Sequence, residues 1–152
     1  MSTADLPRTA PGRNGRGLLA WASADPLRAV LAVIAVVTIV SGAAQIPLGD
    51  VVLRLLGVAP GLVERQLFGT IGMFMIVVGG LLLHTLATST ANRPVLLWCG
   101  LQKVGAAAAV GIGVATAAFA PLALSVASFD FVTGILCLVY LRKLPRVGRL
   151  PS

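Results

Sequence analysis

At 152 residues, with 57% hydrophobic and only 11% charged side chains and a mean hydropathy of +0.96, the chain has too little polar surface to enclose a soluble globule. Twelve Lys and Arg against five Asp and Glu give a net charge of +7 and a pI near 11.1. In a soluble chain that excess would point to nucleic acid. In a chain this apolar it reads as membrane topology signals and attraction to anionic lipid headgroups, and no nucleic-acid partner is expected.

Residues 1–25, rich in Pro, Gly, Arg and Ser, are expected to form a disordered basic cytoplasmic tail, and no convincing small-residue cleavage site marks them as a secretory signal. A four-helix transmembrane domain follows over residues 26–143. A hydrocarbon core about 30 Å thick takes about 20 helical residues per crossing, and such stretches fall at about 27–46, 66–87, 94–117 and 121–141. Pro26 opens the first span and Pro47 follows it, while Pro94 and Pro121 open the third and fourth. Proline is tolerated in the first turn of a helix, where its missing N–H costs nothing. Between spans one and two, residues 47–65 are expected to be an outer loop, with Asp50 to Gly57 forming a short interfacial helix that is either a lid or a linker pressed on lipid. Spans two and three are joined by the polar run 88–93, and a basic cytoplasmic tail, 144–152, ends the chain. Unbroken apolar runs of this length lack the alternation of barrel strands, so the fold class is an all-α bundle of four membrane-spanning helices.

Orientation follows from the basic residues. Arg8, Arg13, Arg16, Arg28, Arg93, Arg142, Lys143, Arg146 and Arg149 fall on one side. On the other, Arg54 and Arg65 are balanced by Asp50 and Glu64. The positive-inside rule then puts both termini in the cytoplasm, with the chain in a cytoplasmic (inner) membrane.

Two fully charged residues fall inside the spans, Lys103 in the third and Asp130 in the fourth. An ionisable group at mid-bilayer depth costs roughly 2.5–3.5 kcal/mol on insertion scales, so it is expected to face a partner, a cavity or a path. Lys103 lies nine residues past Pro94 and Asp130 nine past Pro121, each about 13 Å deep at a rise of about 1.5 Å per residue. Cys99 precedes Lys103 by four residues and Cys137 follows Asp130 by seven, spacings that keep each thiol on the face of its charged neighbour. One seam between spans three and four is therefore expected to hold Cys99, Lys103, Asp130 and Cys137, with Ala106, Ala107, Ala127 and Gly134 allowing close approach. The seam reads either as architecture or as a site for transport, proton or redox chemistry. His84, late in span two, reads either as a proton relay or as an interfacial histidine. A lone histidine defines no metal site, and no catalytic motif, metal set or resident cofactor is expected.

Trp98-Cys99-Gly100-Leu101-Gln102-Lys103-Val104, together with Arg65, Phe68-Gly69, Gly72 and the late Asp130-Phe131, resembles the pattern of small bacterial membrane proteins grouped with DoxX-like families, over residues 65–141. The resemblance implies a four-helix bundle associated in some members with quinone or sulfur redox systems. In this chain the Gly-x-x-Lys element stands in the third span, where DoxX-like proteins tend to carry it in the first. The expected function is that of an accessory or scaffold membrane protein without catalysis of its own. The alternatives are a DoxX-like redox or small-solute-handling protein, with quinone as its cofactor, and a proton-coupled carrier acting as an oligomer. Expected partners are the bilayer, anionic headgroups at the basic tails, and a second copy or another membrane protein.

Overall fold

A computed structural model describes residues 25–88 and 92–144. The expectations for the tails 1–24 and 145–152, and for residues 89–91 of the polar link, lie outside the described residues. Among the described residues four helices make up the fold: α1 (Pro26–Leu55), α2 (Leu62–Ala87), α3 (Arg93–Ala115) and α4 (Ala123–Lys143). Each is long and apolar enough to cross a membrane. At most 28% of any span's apolar window is buried within the chain, so most of each helix presents Val, Leu, Ile and Phe outward, as a multi-pass membrane protein does and a soluble bundle does not. α1 and α3 begin, and α2 and α4 finish, at one end of the bundle, here called the link end. The α1–α2 and α3–α4 connections form the opposite, turn end.

The first span differs from its sequence reading. α1 is one helix of 30 residues that runs through Pro47 to Leu55, and the separate interfacial helix and the long 47–65 loop are absent, leaving a turn over residues 56–61. Pro47 is exposed on the face turned away from α2, and the residues after it keep packing: Gly49 and Leu53 are buried, with Phe68 of α2 against Gly49. Tertiary contact therefore outweighs the lost backbone bond. At about 1.5 Å per residue, 30 residues exceed the hydrocarbon thickness. The excess carries Asp50 and Arg54 past the apolar zone, and Arg65 bonds Asp50 at 2.8 Å on the exposed turn end. Elsewhere the helices match the expected spans to within a few residues.

The helices pair as two hairpins, α1 with α2 and α3 with α4, with lesser contacts of α1 to α4 and of α2 to α3. The hairpins share one construction. Arg28, Leu31, Ala35, Thr38 and Gly42 of α1 stand at one constant sequence offset from Arg93, Leu96, Gly100, Lys103 and Ala107 of α3. Gly72, Met75, Gly79 and Leu82 of α2 stand at another from Ala127, Asp130, Gly134 and Cys137 of α4. The contacts repeat with the residues. A Cβ added at Gly79 would stand 3.1 Å from the Ala35 carbonyl oxygen and 2.9 Å from Ile39; one added at Gly134 would stand 2.9 Å from the Gly100 carbonyl oxygen and 2.7 Å from Val104. Arg28 donates from Nε to the Leu86 carbonyl at 2.7 Å and from Nη2 to the Leu86 and Thr88 carbonyls, while Arg93 Nη1 donates to the Leu141 and Leu144 carbonyls at 3.0 and 2.8 Å. In each hairpin an arginine in the first turn of one helix satisfies the orphan carbonyls and negative dipole end of its partner.

The hairpins join at both ends. Leu31, Ala35, Leu82, Leu86, Leu96, Cys99, Cys137 and Tyr140 form one buried core in the link half, drawn from all four helices. At the turn end the Ala120 amide donates to the Leu56 carbonyl at 2.8 Å, beside Gly57, whose φ of +80° suits a residue without a Cβ.

Candidate functional site

Lys103 and Asp130 face each other between α3 and α4. Lys103 Nζ lies 2.5 Å from Asp130 Oδ1, with side-chain exposures of 5% and 13%. Two features of the local sequence bring them there. Lys103, with Cys99 and Ala107, continues the three- and four-residue spacing of the buried face of α3, and Asp130 does the same in α4 with Ala127, Gly134 and Cys137. Small residues above and below the pair, Gly100 against Gly134 and Ala107 beside Ala127, draw the backbones close enough for a lysine to reach a carboxylate without leaving the interface.

Among the described residues the pair is complete in itself. No other ion pair reaches Asp130 or Lys103 there. Thr133, fully buried one turn along α4, turns its hydroxyl to the Phe129 carbonyl at 2.8 Å. The Phe129 ring centroid lies 5.8 Å from Lys103 Nζ, within the range of a cation–π contact. A buried ion pair of this kind gains from mutual attraction at low dielectric about what it loses by desolvation, but removal of one partner strands the other charge.

Cys99 and Cys137 lie toward the link end of the pair. Both are free thiols, 3% and 0% exposed, in the four-helix core, and Cys99 Sγ comes within 3.9 Å of the Val78 carbonyl of α2. The four seam residues thus follow one buried line, but the thiols are also shared with α1 and α2 as packing groups of the whole bundle. His84 is not brought to this line: it is exposed on α2, late in the helix, in its last turn. Ala106, taken as a close-approach residue, is only half-buried, whereas Gly100 carries the close approach. No group of three or more His, Cys, Asp or Glu is gathered for a metal ion among the described residues.

Sequence reasoning passed over the counterpart of the pair in the first hairpin. Thr38 occupies the place of Lys103 and Met75 that of Asp130. Thr38 is 3% exposed with an unpartnered hydroxyl, and Gln45 donates from Nε2 to Met75 Sδ at 3.2 Å. The signal was available as the constant offset between Arg28-x-x-Leu31 and Arg93-x-x-Leu96. No protein-family model, no curated protein and no solved structure matches the chain.

Proposed function

We propose that this chain is a non-catalytic accessory or scaffold protein of a cytoplasmic membrane, in which the Lys103–Asp130 pair locks the register of α3 against α4. The observation that carries this reading is the closure of the pair: both charges are buried, each is the other's ionic partner among the described residues, and the thiols beside them lie in a packed core. Both termini are assigned to the cytoplasm. Arg28, Arg93, Arg142 and Lys143 gather at the link end, and Asp50 and Glu64 offset Arg54 and Arg65 at the turn end, which supports that assignment.

A double-mutant cycle tests the reading. Lys103→Met alone and Asp130→Leu alone are expected to lose about 3–5 kcal/mol of stability each, because each strands a buried charge, while the double variant recovers most of the loss. Denaturation of the purified protein in detergent, with helix content by circular dichroism, measures all three. A double variant as unstable as the singles would reject the register-lock reading. The DoxX-like reading, with Cys99 and Cys137 as an electron-exchanging pair, is supported by the two thiols sharing one core. It requires both to become protected from a membrane-permeant thiol reagent after oxidant treatment, and full labelling of both removes it.

A further inference from the structure

One carboxamide in the middle of the spans has no partner inside the bundle. Gln102 lies nine residues after Arg93, about 13 Å into the membrane at about 1.5 Å per residue. It is exposed on α3 and makes no hydrogen bond to any described residue. It stands about 100° around the helix from Lys103, on the face turned away from the ion pair. A carboxamide in hydrocarbon has no water to bond, so its donors and acceptor need a protein partner.

The same face carries small residues that the fold of the single chain does not account for. Gly105 and Ala109 follow Gln102 at i+3 and i+7, one stripe of the helix, and both are exposed. Gly100 and Gly113 of α3 are held small by neighbours within the chain, but a Cβ added at Gly105 meets nothing within 4 Å. Three other glycines are equally open, Gly69, Gly80 and Gly111, and none has a mid-span amide on its stripe. The nearest case, Gln66 before Gly69, is exposed near the start of α2 beside Arg65, at the turn end and not at mid-span.

We infer that the outward face of α3 bearing Gln102, Gly105 and Ala109 is the interface between two copies of this chain, related by a twofold axis along the membrane normal. The amide selects this occupant. Copies inserted with the same topology present identical faces at identical depth, so a twofold brings Gln102 against the partner's Gln102. A carboxamide is both donor and acceptor and is complementary to itself. The Gly105-x-x-x-Ala109 spacing lets the two α3 backbones approach closely enough for the amides to meet, as small-residue crossings in membranes do. The interface lies on a different face from Lys103, so dimer formation and the register lock of the single chain fail independently.

The test uses the full-length chain, fluorescently labelled and reconstituted in liposomes over a range of lipid-to-protein ratios, with subunits counted by photobleaching. Wild type is expected to be dimeric at high density and to dissociate on dilution. Gln102→Leu should weaken association by about three- to thirtyfold, the range measured for interhelical hydrogen bonds in membranes, and Gly105→Leu should also weaken it. Gln102→Asn, which keeps the amide, should retain most of it. Unchanged helix content and melting of the monomer separate these effects from misfolding. An Ala109→Cys variant provides a second measurement: mild oxidation should link two chains, whereas Leu124→Cys on α4 should not. Wild type that stays monomeric at every density overturns the proposal. So does association that survives both Gln102→Leu and Gly105→Leu, or an Ala109→Cys chain that fails to crosslink.

Discussion

The two hairpins solve one packing problem with different chemistry. Both cap the second helix with an arginine from the first, and both use a glycine, Gly79 or Gly134, to admit the partner backbone. At the matched central position the first hairpin has Thr38 and Met75, and the second has Lys103 and Asp130. The first hairpin packs at least as closely without a charge at its centre: a Cβ at Gly42 would stand 2.5 Å from the Gly72 carbonyl oxygen, and one at Gly72 the same distance from the Gly42 carbonyl. Close helix approach in this fold therefore comes from missing side chains. What the ion pair adds is specificity of register, since a displaced α4 would leave two charges unpaired in an apolar environment.

Copying the first solution into the second hairpin gives the largest contrast. Lys103→Thr or Asp130→Met alone is expected to cost about 3–5 kcal/mol, and the two together only about 1 kcal/mol, because the double variant reproduces the neutral pair already present in α1 and α2. Detergent denaturation reads the difference, and a double variant no better than the singles would break the equivalence of the hairpins. Next in size are the glycines. Gly42→Ala and Gly134→Ala both meet backbone on the facing helix, but Gly42→Ala comes to 2.5 Å from the Gly72 carbonyl oxygen whereas Gly134→Ala comes to 2.9 Å from that of Gly100, so Gly42→Ala should fall at the upper end of about 1–3 kcal/mol and Gly134→Ala below it. Equal losses measured in the same denaturation would mean that α3 yields no more readily than α2.

Smaller effects are expected at the caps. Arg28→Gln and Arg93→Gln should each cost about 1 kcal/mol, with hydrogen exchange accelerating in the last turn of α2 for the first variant and of α4 for the second. Acceleration in the wrong helix would refute the paired capping. Thr38→Val should have the least effect, with unchanged or slightly raised stability in a thermal melt, because the hydroxyl removed is buried without a partner. A clear loss would show that Thr38 bonds something the bundle itself does not supply.

Much of this was legible before any coordinates. The Lys103–Asp130 contact followed from matched depth on adjacent antiparallel spans, because a helix rise is constant and a short connection leaves little freedom. The thiols fell on the same line for the same reason. His84, read either as a relay or as an interfacial histidine, stands exposed in the last turn of α2, away from the pair. Pro47 misled in the other direction: as a local signal it ends a helix, but Gly49 and Leu53 packing on α2 carries α1 past it.

The sequence by itself determined the number of spans, the approximate limits of the last three and the matched positions of Lys103 and Asp130 along their helices, because hydrocarbon thickness and helical rise are insensitive to what surrounds the chain. Only the tertiary structure decided which helices pair into the two hairpins, that α1 runs on through Pro47, and that Gln102 faces outward while Lys103 faces in. Those outcomes depend on which helix faces meet. In a chain where nearly every side chain on every span is apolar, hydropathy does not distinguish one face from another; close approach at a few glycines does.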